Sequence, residues 1–442
     1  QWTREARACE IPKSQIVVFL GPTRETALSI WKKEICQTSE RYINLCITTP
    51  QTLLSESTKR GSSSSLFNIK WTHIISDEAH MWRNGSSHYS DAEVDENKKM
   101  YLALNRYIIT PYKPTCLFLS ATAYCNHPLD VYSLARLMNI KGLCKSKWLE
   151  RTTSSIEFKK QKKLFLDHVL TIKGMTTPAT TYTTIYHTPQ EKESIILRSE
   201  HDCLLKKVNW FMDARRKCAE QPSVSEYKVK CEEARLAFEG ALTRCRRVCN
   251  YPGIYLHTMT EKNVDEPPIK KGGMTEKDID AMVDAFPIEN CSKFKATLEL
   301  LQTPKCRDKK LLIMSSWKGP LRVLGRYLSK HLPERKVFMH FGGTNNRARM
   351  REFEETEEPA IMLATRGSIG EGVSMHWLTD IIFLDPARSS ADQKQAEGRV
   401  KRPLVQTDVT EWLGYHVRYS QSKLTTVEDW LYDVQSMKEQ GG

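Results

Sequence analysis

No apolar run in this chain approaches the ~18 residues that would span a bilayer, so no membrane-crossing helix is expected. The first twelve residues, QWTREARACEIP, are charged and lack the apolar core of a signal peptide. They begin with Gln1 rather than Met, and the chain reads as a fragment of a longer one. No segment repeats at a fixed period, and no stretch has coiled-coil character over several heptads. The thirteen cysteines are odd in number and have no disulfide-like spacing. Cys245 and Cys249 stand four apart, but no second pair completes a zinc site. Ordinary thiols in a reducing compartment are the expectation.

What is present is enough chain for two or three domains, 442 residues with 40% hydrophobic and 27% charged content. The formal net charge of +13 favours a polyanionic partner, most simply nucleic acid. A generally basic protein would carry the same balance.

The central stretch is Trp71–Asn84, WTHIISDEAHMWRN. It reads as a buried strand, His73–Ser76, running straight into Asp77 and Glu78. Two carboxylates at a strand end suit the carboxyl edge of a parallel α/β sheet, where ligands bind. One could hold a hydrated Mg²⁺ against phosphates, and the other could orient an attacking water. An isolated Asp-Glu would more simply be a pair of surface acids.

Around this stretch the pattern is α/β. Strands are expected at 16–20, 43–47, 116–119, 311–314, 337–340, 361–364 and 381–384. Helical spacing runs through 26–35, 100–109, 129–138, 188–216, 225–248, 292–301, 321–332 and 345–353. Residues 55–66 and 85–99 read as polar loops, and 257–274 as a linker. Strands alternating with helices predict parallel sheets. The expected division is a first lobe over 1–145, a helical protrusion and linker over 146–289, and a second lobe over 290–442.

Further polar groups cluster after the expected strands. Thr48, Thr49 and Pro50 close one, although Thr-Thr-Pro alone is only a turn. Ser120-Ala121-Thr122 follows another, and Ser315–Trp317 a third. Thr365 precedes Gly367, Gly370 and Gly372, where the backbone could approach a ligand closely. Gln395-Ala-Glu-Gly-Arg399-Val-Lys-Arg402 comes next. On a helix, Arg399 and Arg402 would share a face and suit charge developing on a phosphoryl group. A pair of solvated arginines is the plainer alternative.

The ordered series Asp77-Glu78-Ala79-His80, Ser120–Thr122, Ser315–Trp317, Gly370-Glu-Gly372 and Gln395…Arg402 resembles motifs II to VI of the Snf2-like ATPases of helicase superfamily two. Trp2-Thr-Arg-Glu5 and Leu242–Pro252 extend the resemblance, which covers nearly the whole chain. It implies two RecA-like lobes sharing one ATP, with duplex DNA as partner, chromatin as its setting and the nucleus as location in a eukaryote. It implies Asp77 on Mg²⁺, Glu78 as water-positioning base, and Arg399 and Arg402 as arginine fingers. Gln395, Gly370 and Gly372 would serve the nucleotide. Thr49, Pro50, Ser315, Trp317 and Thr365 would touch nucleic acid, while His80, Ser120 and Thr122 would couple the two.

Two departures stand out. The sequence contains no Gly-Lys dipeptide, so the phosphate loop of the family is missing, and the chain is expected to start downstream of it. Val400-Lys-Arg-Pro-Leu404 also differs from the family's usual continuation. A non-catalytic nucleic-acid-binding or scaffold protein with the same fold is therefore the competing expectation. An RNA helicase is a third, disfavoured by the tryptophans flanking the acidic tetrad.

Overall fold

The computed structural model describes residues 2–35, 44–57, 66, 69–79, 82, 102–105, 108, 114–120, 128–138, 140, 160, 163–168, 179–221, 224–254, 275–341, 346–369, 375, 377–401, 411–420 and 426–440. The chain divides into two compact units, Gln1–Lys173 and Gly174–Gly442. Both are α/β, and every strand pairing described is parallel, in line with the expected fold class.

In the first unit, β1 (Ile16–Val18) pairs with β2 (Leu45–Ile47), and β3 (His73–Ser76) pairs with β4 (Thr115–Phe118). Val17, Phe19, Leu28, Trp31 and Leu66 pack over the first pair, with Trp31 stacked on Trp71 at 6.0 Å. Ala79, Trp82, Leu104, Ile108, Leu134 and Leu137 pack beside the second, with Ile74, Cys116 and Phe118 against them. The opposite face of β3–β4 is open: Ile75 and Leu117, partners in register, are 59% and 52% exposed.

The second unit holds a six-stranded sheet in the order β5–β10–β9–β6–β8–β7. Its strands are β5 (Ala179–His187), β6 (Leu311–Ser315), β7 (Lys336–His340), β8 (Ala360–Thr365), β9 (Asp380–Phe383) and β10 (Glu411–Tyr419). β6, β8 and β9 are almost continuously apolar and buried, as strands covered on both faces must be. Alternate residues feed two cores. Leu311 and Ile313 join Phe294, Leu321 and Leu324 on one face, and Leu312 and Met314 join Phe353, Met375 and Val400 on the other. Burying each such side chain contributes about 1.5–3 kcal/mol.

Two strands lie outside the sequence expectation. β5 falls in the segment expected to be a helical protrusion, and β10 follows the last strand expected. Both carry strand chemistry, Thr and Tyr in ATTYTTIYH and alternating burial in EWLGYHVRY. They pair over nine residues, and Gly414 faces Tyr182, whose ring would lie 2.6 Å from a Cβ at that position. Helices Glu191–Glu220 and Ser225–Asn250 form the expected long helical pair. Among the described residues, no helix is long and apolar enough to cross a membrane.

Candidate functional site

In the first unit, β3 delivers Asp77 and Glu78 at its carboxyl end. Leu119 N–H donates to the Ser76 carbonyl and Ala79 N–H to the Leu119 carbonyl, each at 2.8 Å, so the ladder continues past the acids. Trp82 Nε1 donates to Ser76 Oγ at 2.8 Å and pins the returning loop. Asp77 is exposed, and its Oδ1 accepts from Glu78 N–H at 2.9 Å. Glu78 has φ of +49°, a left-handed backbone that costs a non-glycine residue energy and concentrates at functional sites.

An exposed carboxylate at a sheet's carboxyl edge fits a hydrated Mg²⁺ that takes its other ligands from water and phosphate. Bound there, Mg²⁺ would neutralise phosphate charge. Among the described residues, no group of three or more His, Cys, Asp or Glu could form a dedicated cage.

Thr49 and Pro50 open the helix Pro50–Ser57. Thr49 Oγ1 accepts from Thr52 N–H at 3.2 Å, an N-cap, and Pro50 takes the first helical position that proline favours. Ser120 is half-buried after β4. His80, Thr122, Gly370, Gly372 and Arg402 lie outside the described residues.

In the second unit, the carboxyl ends of β6, β8 and β9 converge on Asp385. This side chain is 1% exposed. Its Oδ2 lies 3.0 Å from Arg366 Nη1 and 3.8 Å from Arg246 Nη2, and Oδ1 accepts from Ser316 N–H at 3.0 Å. Burial works to raise its pKa, but Arg366, the Ser315 and Ser316 bonds and Arg246 together hold it below the usual carboxylate value. Arg366 Nη1 also donates to Ser316 Oγ at 2.7 Å, and Arg246 Nη2 to the Pro386 carbonyl at 3.1 Å. Beneath, Lys293 is wholly buried. It donates to the Leu384 carbonyl at 2.7 Å and to both Glu428 oxygens at 2.7 and 2.9 Å. Burial lifts Glu428 to about 7 even though Lys293 pulls it down.

Above Asp385 is a cavity of about 630 Å³ whose lining includes Arg246, Ser316, Trp317, Arg366, Arg388 and Gln395. Arg246 and Arg247 lie over the Trp317 ring at 5.5 and 5.8 Å. Gln395 is carried by the helix Ser390–Glu397, which Ser389 caps by accepting from Asp392 N–H at 3.1 Å. The lining carries three arginines with Glu239 and Asp392, and Asp385 balances Arg366 and Arg246 from beneath; the guanidinium forks have the geometry that matches phosphate.

Of the residues singled out from sequence, Trp317 and Gln395 come together in this cavity. Ser315 is buried, its hydroxyl accepting from Trp317 N–H at 3.1 Å. Thr365 ends β8, and its carbonyl accepts from Ser368 N–H at 3.0 Å. The helix Ser390–Glu397 ends before Arg399, so the helical setting considered for the arginine pair is not met at Arg399. Arg399 sits in the following turn, 9% exposed, its carbonyl accepting from Met375 N–H at 2.8 Å. Arg366, Asp385 and Arg388 lie outside the residues that the sequence singles out, whereas Arg246 falls within Leu242–Pro252 and Gly367, noted for its backbone, also lines the cavity. Asp385 had a visible signal, an acid just after the apolar run Ile381–Leu384, as Asp77 follows His73–Ser76.

No protein-family model matches the chain, and no curated protein matches it. Among solved structures, it is similar to the C-terminal part of the Fun30 ATPase domain at 17% identity and a TM-score of 0.39, over 59% of this chain and 90% of that one. It is similar to the Sulfolobus solfataricus SWI2/SNF2 ATPase core in complex with dsDNA at 13% identity and a TM-score of 0.37, over 98% of this chain and 82% of that one. The Sulfolobus solfataricus SWI2/SNF2 ATPase C-terminal domain is similar at 12% identity and a TM-score of 0.36, over 59% and 86% of the two chains.

Proposed function

We propose that this chain is the core of a Snf2-like DNA-dependent ATPase and translocase. The observation that carries the reading is the placement of its polar groups. Asp77 and Glu78 follow β3, while Ser315–Trp317, Thr365–Arg366 and Asp385 follow β6, β8 and β9. These are carboxyl edges of parallel sheets, where open α/β folds bind ligands. In this reading Asp77 holds Mg²⁺ and Glu78 orients the attacking water. Gln395, Arg399, Arg402, Gly370 and Gly372 answer to the nucleotide. Thr49, Pro50, Trp317 and Thr365 face DNA phosphates, with Ser315 shaping the turn beneath Trp317. His80, Ser120 and Thr122 link the two tasks.

The phosphate loop is the missing part. No Gly-Lys occurs in the 442 residues, so no such lysine and amide cradle is available to the γ-phosphate. The same absence favours a second reading, a nucleic-acid-binding scaffold without turnover.

Two measurements test this. Phosphate release by the 442 residues is expected to be negligible with or without duplex DNA, since losing one arginine finger alone costs on the order of 10³–10⁵ in rate. Robust turnover abolished by Glu78→Gln would show that other groups hold the phosphates. Duplex DNA should bind with log affinity falling by about 0.9 per phosphate neutralised for each decade of salt. Arg388→Glu, at the exposed rim of the arginine cavity, should weaken that binding and flatten the slope. A folded protein that ignores DNA at low salt would overturn the nucleic-acid reading.

A further inference from the structure

The helices Glu191–Glu220 and Ser225–Asn250 pack as a hairpin with a regular seam. Phe211 and Phe238 stack across it, centroids 5.7 Å apart. One heptad further from the turn on each helix stand Leu204 and Cys245, both buried in one apolar cluster. One heptad nearer the turn stand Cys218 and Cys231. Steps of seven keep a helix's seam on its partner, so the two cysteines form the layer next to the hairpin's tip. Across that layer the Cys218 thiol acts on the Cys231 thiol and helps to raise its pKa. Both are free and of intermediate exposure, whereas Cys245, Cys249, Cys291 and Cys306 are buried.

We propose that Cys218 and Cys231 form a reversible thiol–disulfide site that staples the tip of the hairpin through exchange with a small-molecule disulfide such as oxidised glutathione. One cysteine thiolate attacks a sulfur of the reagent, whose other half leaves as a thiolate. The second cysteine thiolate then attacks the mixed disulfide at the protein sulfur, and the remaining half leaves. One protein S–S bond forms and the reagent's S–S bond breaks. Two protein thiols are oxidised, one disulfide is reduced to two thiols, and the two thiol protons pass to the departing thiolates. The layer beyond the Phe211–Phe238 stack sets the two cysteines opposite each other across the seam, the placement a disulfide between the helices needs. Burial and the neighbouring Cys218 raise the Cys231 thiol, so the exchange runs faster at alkaline pH. The helix that carries Cys231 also carries Arg246 to Asp385, so the staple stiffens the support of the arginine cavity.

The test incubates the full chain with oxidised glutathione at mildly alkaline pH, blocks remaining thiols and maps the peptides. The expected result is a 218–231 crosslink, an intact mass lower by about 2 Da, reversal by dithiothreitol and several-fold slower hydrogen exchange over 219–230. Cys218→Ser should instead retain glutathione on Cys231. Alkylated Cys218 and Cys231 in a sample oxidised elsewhere would overturn the proposal, as would glutathione persisting on either residue of the unaltered chain. The peptide map of that unaltered chain decides the matter even if a variant fails to fold.

Discussion

Arg366 and Asp385 meet at the carboxyl edge of the second sheet, with Nη1 3.0 Å from Oδ2 and Nη2 donating to the Asp385 main-chain carbonyl. The pair locks the turns after β8 and β9 to each other, and Ser316 ties in the turn after β6. It is 10% and 1% exposed, so neither charge has water as a substitute partner. Asp385→Ala should therefore destabilise the second unit by about 3–5 kcal/mol, read from urea unfolding. Arg366→Ala added to it should cost much less than it does alone, and simple additivity would argue against a shared network.

Lys293 and Glu428 form a deeper pair, 0% and 1% exposed. Lys293→Met leaves a buried carboxylate, or its protonated form, without its cation, at a cost of about 3–5 kcal/mol. The double change Lys293→Met, Glu428→Leu should recover much of that loss, because an apolar pair of similar volume has no desolvation to offset. Unfolding midpoints of the three proteins decide it.

Burial depresses His187 to about 2, with Lys293 adding to the effect, and depresses His416 to about 4. Their unfolded values lie near ~6.5. Below that pH the unfolded chain binds protons that the folded chain refuses. The stability from these two groups is thus present above pH ~6.5 and is lost as pH falls through the window towards their folded values. Imidazole resonances should show His416 neutral until about pH 4, and a titration of His416 near pH 6.5 would contradict its burial.

Thr49 can be examined for two roles separately. As an N-cap, its replacement by Ala should cost about 0.5–2 kcal/mol. Thr49→Asp keeps a capping oxygen and adds a negative charge. If Thr49 faces DNA, that variant should hold its stability and lose DNA affinity. Unchanged affinity would leave the cap as its role.

Much of the secondary structure was legible in the sequence because the signal is local. Ile74 and Ile75 mark β3 ahead of a polar stretch, although its exposed face departs from the buried strand expected, and β6, β8 and β9 are runs that only a doubly covered parallel sheet accommodates. The acid pair after β3 was legible for the same reason. β5 and β10 were passed over because threonine, tyrosine and histidine mute the hydrophobic contrast on which periodicity depends.

By itself the sequence determined that β6, β8 and β9 are buried strands, that Asp77 and Glu78 follow a strand, that the chain is basic, and that it holds no Gly-Lys. Tertiary structure alone decided that Arg246, Arg366, Arg388, Trp317 and Gln395 line one cavity, and that Asp385 is the counter-charge at its base. Arg246 and Asp385 are 139 positions apart in the chain. No local rule of composition or spacing links them. Parallel pairing of β6, β8 and β9 sets their carboxyl ends side by side, and burial then requires that each charge delivered there find its opposite.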